Sequence, residues 1–177
     1  STQATDWWGW HRSGNVDSSP PSGVPSGSLV GGRLNTSGNF NVSPNIINTV
    51  TSTSFKYGTN NSGYNDDTTT TYVAYIFAHN DQSFGDDEDE AIIKCGSYAG
   101  SSNEQTISVG FEPQWLLIKC LDSTGHWQLL DTMRGFSRQN AYSLLPNGND
   151  AESDIGLFGS LGIKLSPTST GFTLSSN

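Results

Sequence analysis

The sequence predicts an all-β protein, an antiparallel β-sandwich of jelly-roll or lectin-like kind, and three observations predict it. The apolar runs are short, rich in β-branched and aromatic residues, and bounded by Gly, Pro, Asn, Asp and Ser, which is the pattern of strands joined by turns. No stretch repeats its apolar residues at the helical period. Charged residues make up only 14% of the 177 positions. Hydroxyls and amides therefore cover the outward strand positions.

Taken in order, residues 1–14 hold DWWGWHR, with Trp8 and Trp10 on one face of a strand and Trp7 on the other. Such an aromatic cluster suits either a sugar-stacking platform or the filling of a sandwich. The Pro-, Gly- and Ser-rich stretch that follows reads as a long surface loop, 15–33, running into a short strand near 29–34. Residues 46–58 alternate as one strand, and 72–78 (YVAYIFA) form a strongly apolar one. The acidic run around Asp86, Asp87 and Asp89 has the carboxylates a hard cation needs, but not the spacing of a calcium loop, so it reads as a solvated connector.

The chain is organised around 92–134. Strands are expected at 92–98, 106–109, 115–120 and 127–130, and the nearly continuous apolar run at 115–118 predicts a central strand covered on both faces. In a chain so poor in charge, Arg134 is expected to pair with Asp131 or Glu152 at the turn after Trp127. Residues 149–154 are expected to make one helical turn. Strands at 162–165 and 171–174, joined by the SPTST turn, complete the chain.

Composition excludes several functions. The formal net charge of −9 leaves no basic stripe for nucleic acid. No run reaches the length of a membrane-spanning helix, and the first residues lack the cationic and apolar regions of a signal peptide. Cys95 and Cys120 have no CxxC or Cys/His neighbours and read as small buried hydrophobes, with a disulfide as the second reading. The three histidines lie outside any GxSxG or HExxH context, so no enzyme and no cofactor is expected. Carboxylate pairs such as Asp131 or Glu112 with the acidic run keep a glycan depolymerase as an alternative.

An internal repeat runs through the chain. Asp6-Trp7-Trp8 matches His126-Trp127-Gln128, Leu34-Asn35 matches Leu145-Pro146-Asn147, and Thr51 to Phe55 matches Thr168 to Phe172, in the same order. The expected organisation is the end of a first repeat unit at 1–79, an acidic linker at 80–91, and the start of a second unit at 92–177, both incomplete, as in a window on a longer repetitive protein.

In order, YVAYIFAH, IIKCGSYAG, GFEPQWLLIK, DSTGHWQLLDTMRG, the LLPN and DAES segments and SPTSTGFTL resemble a repeat domain of tail-fibre and other virion structural proteins of marine tailed phages, cyanophages among them. The resemblance covers 6–12 and 45–177; the proline-rich insertion and the acidic run depart from it. It implies an extracellular, virion-borne oligomeric protein that adheres to a host or builds the particle, and it supplies no catalytic residues. Its partners would be other copies or other virion proteins, and a host surface glycan or protein. An adhesin would present the loops 15–33 and 136–150 with Trp8, Trp10 or Tyr142 near the contact, whereas an architectural subunit would bury those aromatics between chains.

Overall fold

The structure is a computed structural model and describes residues 6–11, 30–42, 47–57, 71–77, 86, 92–136, 142–154 and 163–176. It is all-β, and each pair of its described strands runs antiparallel. The chain divides into two compact units, one of Ser1–Ile76 with Cys120–Gly125 and one of Phe77–Lys119 with His126–Asn177.

In the first unit β1 (Trp8–Trp10), β2 (Val30–Arg33) and β3 (Asn41–Val42) form a sheet in that order. The glycines of β2 are dictated by packing. A Cβ on Gly32 would lie 2.2 Å from the ring of buried Phe40, so only glycine lets that ring close over the strand. The segment 120–125 is stitched on by Phe40 N–H to the Leu121 carbonyl (3.2 Å) and Gly125 N–H to that of Ser37 (2.8 Å).

The expected single strand at 46–58 is instead a hairpin, β4 (Ile47–Val50) and β5 (Phe55–Tyr57). The cause is local. The Thr51 hydroxyl accepts the N–H groups of Ser54 (2.9 Å) and Thr53 (3.3 Å), which offers the backbone a turn in place of a longer ladder. The YVAYIFA stretch forms no strand over its described residues 72–77, and both its faces are exposed.

The second unit holds β6 (Gln105–Ser108), β7 (Trp115–Ile118), β8 (Gln128–Asp131), β9 (Tyr142–Ser143), β10 (Ser153–Asp154), β11 (Ile163–Thr168) and β12 (Gly171–Ser176). Its sheets are β11-β12-β6, β7-β8 and β9-β10, with a bridge from Leu129 to Leu144 tying β8 to β9. The core lies here: Leu130, Phe136, Leu165 and Phe172 are buried, with Ile107, Val109, Leu116, Ile118 and Leu174 packed against them. The β7-β8 and β11-β12-β6 sheets thus both feed one core, which is compatible with a sandwich.

Strand β7 corrects one expectation. Leu116 and Ile118 face the core, but Trp115 stays 54% exposed and Leu117 36%, so the strand alternates and is covered on one face only. Residues 92–98 form no strand, although Ile93 and Cys95 are half-buried and their neighbours exposed. Tyr98 sets its ring edge-on to Phe172, centroids 6.1 Å apart. No helix appears at 149–154, where β10 takes the last two residues. The only helical turn among the described residues is the 3-10 turn Thr132–Arg134, closed by Gly135 at φ 90°.

The matched segments of the repeat make matching contacts. Asn35 Oδ1 accepts the Trp7 N–H (3.1 Å), and Asn147 Oδ1 accepts that of Trp127 (2.9 Å). Each Asn then turns its Nδ2 to the residue before the tryptophan, Asp6 Oδ1 or His126 Nδ1, at 2.9 Å in both cases. The hairpins agree as well, since Val50 pairs with Phe55 as Pro167 pairs with Phe172.

Candidate functional site

The tryptophan cluster is built by β1 and β2. Trp8 lies opposite Arg33 in the ladder, and the guanidinium sits 5.0 Å above its ring. Arg33 Nε also reaches Asp6 Oδ2 at 2.8 Å; because both side chains are substantially exposed, this pair orients more than it stabilises. Asp6 thereby ties together Arg33 and Asn35.

The consequence falls on Trp7. Its N–H is held by Asn35 and its carbonyl by the Leu34 N–H (2.7 Å), while its side chain is 57% exposed and stacks on Tyr75, centroids 6.2 Å apart and planes 24° from parallel. A large ring on a backbone fixed at both ends loses little freedom when something packs on it. Sequence reasoning chose Trp8 and Trp10 as contacts and passed over Trp7. The signal was the alternation itself, which put Trp7 on the opposite face from the two rings that turn out half-buried. Its stacking on Tyr75, far along the chain, had no local signal.

Trp10 shares the face of Trp8, and its Nε1 is buried with no hydrogen-bond partner among the described residues. Tyr142 belongs to the second unit, where it pairs with Asp154 and is 39% exposed. The structure therefore brings Trp8 and Trp10 together and places Tyr142 in the other unit.

Asp86 is exposed at a turn, while Asp87 and Asp89 lie outside the described residues, as do His79 and most of the loop 15–33. Among the described residues no group of three or more His, Cys, Asp and Glu side chains gathers to hold a metal.

Arg134 takes both partners proposed for it. It pairs with Asp131 through Nη1 and approaches Glu152 through Nε at 3.7 Å, and Asp131 also caps the 3-10 turn by accepting the Arg134 N–H (2.9 Å). The bonds hold the turn after β8, beside buried Phe136. Neither cysteine is in a disulfide: Cys95 is half-buried, and desolvation raises its pKa above the ordinary 9.0, whereas Cys120 is exposed and touches the Ser123 hydroxyl (3.1 Å). The expectation of two buried cysteines thus fails at Cys120, which sits past the end of β7.

Residues 29–176 match a family described as Domain of unknown function (DUF7483). No curated protein and no solved structure matches the chain.

Proposed function

The chain belongs to the DUF7483 family, and we propose that it is a non-catalytic β module of a phage virion, a tail-fibre protein that contributes to attachment at a host surface. The observation that carries this reading is the exposed Trp7–Tyr75 stack, in which the Trp7 backbone is held at both ends. It is a rigid aromatic platform of the kind that packs on the apolar face of a sugar or on a protein surface. Trp8 and Trp10 lie half-buried on the opposite face of the adjoining strand β1, and Tyr142 offers a further ring in the second unit. The ordered resemblance to virion repeat domains supports an extracellular setting. The strongly negative charge argues against nucleic acid as the partner.

The test is binding of the fluorescently labelled chain to envelopes of marine cyanobacterial cells. Saturable binding that weakens about tenfold in Trp7→Ala is expected, the loss of one aromatic anchor. Absence of binding across a host panel refutes adhesion.

A second reading, an architectural virion subunit, is favoured by one observation: Val73 (75% exposed), Tyr75 (71%) and Ile76 (73%) lie in sequence with no charged residue among them. Apolar surface of this kind commonly marks contacts between proteins. Sedimentation of the chain at rising concentration separates the readings, since a subunit of a shaft assembles and an adhesive module need not.

A further inference from the structure

The β11-β12-β6 sheet has two chemically opposite faces. Pairing aligns Pro167, Phe172 and Ile107 in one row and Ser166, Thr173 and Thr106 in the next. Because successive side chains alternate across a strand, the first row joins Leu165 and Leu174 against the core. The second row falls on the opposite face, together with Lys164, Thr168, Ser175 and Ser108. Hydroxyls thus stand in a lattice, roughly 4.8 Å apart between strands and roughly 6.7 Å apart along them.

That face also carries a shallow groove, open to solvent over much of its extent, of about 620 Å³ and lined by Glu104, Lys164, Ser166, Thr168, Thr173 and Ser175, among others. The hydroxyl chemistry around it is largely unspent. Thr168 Oγ1 is buried with no hydrogen-bond partner among the described residues. Thr173 Oγ1 reaches the Ser166 carbonyl only at 3.4 Å, well beyond the roughly 2.8 Å of a normal hydroxyl bond. A buried polar group left unpaired costs free energy, and this hydroxyl gains a ligand partner only where the groove wall gives way as the ligand seats.

We propose that this face binds a neutral saccharide chain. A polyol supplies donors and acceptors on every carbon, which matches a lattice of groups that both donate and accept. Among the described residues the groove has no aromatic lining, so recognition rests on hydrogen bonds and not on stacking. Among the described residues its lining holds one cation, Lys164, and one carboxylate, Glu104, in a chain of net charge −9, so an anionic polymer is repelled and a neutral one is not. An apolar peptide side chain would need an apolar pocket, and the hydroxyl lining offers none among the described residues.

This inference goes beyond the adhesion proposed above and does not depend on it, because its residues lie in the second unit and the Trp7 platform in the first. The experiment titrates the ¹⁵N-labelled full chain with cellohexaose, maltohexaose and, as the anionic comparator, an alginate hexamer. The expected result is amide shifts at Thr168, Thr173 and Ser175 with one or both neutral hexamers, none with alginate, and affinity lowered about tenfold by Thr168→Val combined with Ser166→Ala. Lys164→Gln, at an exposed position, serves as the second variant if that pair perturbs the sheet, and it is expected to weaken binding as well. The inference is overturned if neither neutral hexamer shifts these amides, if alginate binds in their place, or if affinity survives the substitutions. Envelope binding lost in Trp7→Ala but kept in the groove variants would leave adhesion standing without this site.

Discussion

The paired asparagines allow a sharp test, because the two copies of one contact differ in a single neighbour. Asn147 Oδ1 accepts the part-buried Trp127 N–H, which fixes the amide so that Nδ2 faces His126 Nδ1. Asn35 does the same for Trp7 at an exposed site, with Asp6 in the place of the histidine. Replacing Asn147 by Ala strands a partly buried donor and is expected to cost about 1–2 kcal/mol; Asn35→Ala, where water can substitute, about 0.5–1 kcal/mol.

The aspartates should separate the copies. In Asn147→Asp the carboxylate still accepts the Trp127 N–H, and a neutral imidazole can present N–H from Nδ1 by changing tautomer, so stability should stay within about 0.5 kcal/mol of the parent. In Asn35→Asp a carboxylate comes to rest 2.9 Å from Asp6 Oδ1 where a donor stood. Like charges this close repel by about 1 kcal/mol even at the dielectric of water, so this variant should fall below Asn35→Ala and recover as salt is added. Urea denaturation gives the energies, and hydrogen exchange at the Trp7 and Trp127 amides localises them. Equal losses in the two aspartate variants, or unchanged exchange at both amides in the alanine variants, would refute the reasoning.

Three further outcomes are expected. Gly171→Ala would put a Cβ 2.0 Å from the Ile107 carbonyl oxygen, so it should cost about 2 kcal/mol or more and loosen β6 from β12, whereas Gly110→Ala, with open space around it but φ at 93°, should cost about 1 kcal/mol; urea midpoints compare the two. Asp131→Ala removes both the cap and the Arg134 pair and should cost about 1 kcal/mol, while Arg134→Ala, a partly exposed partner, should cost about half that; an unchanged midpoint in both would remove the turn's structural role. Iodoacetamide at pH 8 should label Cys120 well before Cys95, followed by mass spectrometry. Because folding raises the Cys95 pKa above 9.0, its contribution to stability is complete below that pH and is lost as pH climbs through the raised value, a trend that Cys95→Ser should flatten.

The sequence alone determined whatever is settled by near neighbours in the chain. Short β-branched runs between turn residues fixed the all-β class. The order of the DWW, LN and TSTSF segments gave the repeat whose contacts recur at Asn35 and Asn147. Arg134 was assignable because Asp131 stands three residues before it on a turn. The tertiary structure decided what depends on residues brought together from far apart. Alternation at 115–118 defines two faces, but only the core around Leu130 and Phe172 shows that Leu116 and Ile118 face inward and Trp115 outward. Residues 72–77 and 92–98 are as apolar as strands elsewhere, yet a strand exists only where a second backbone takes up its hydrogen bonds, as β12 does for β6 across more than sixty residues. The exposed Trp7 and the hydroxyl groove were invisible for the same reason. Burial and cavities belong to the packing of distant segments, and local pattern carries no record of which segments will meet.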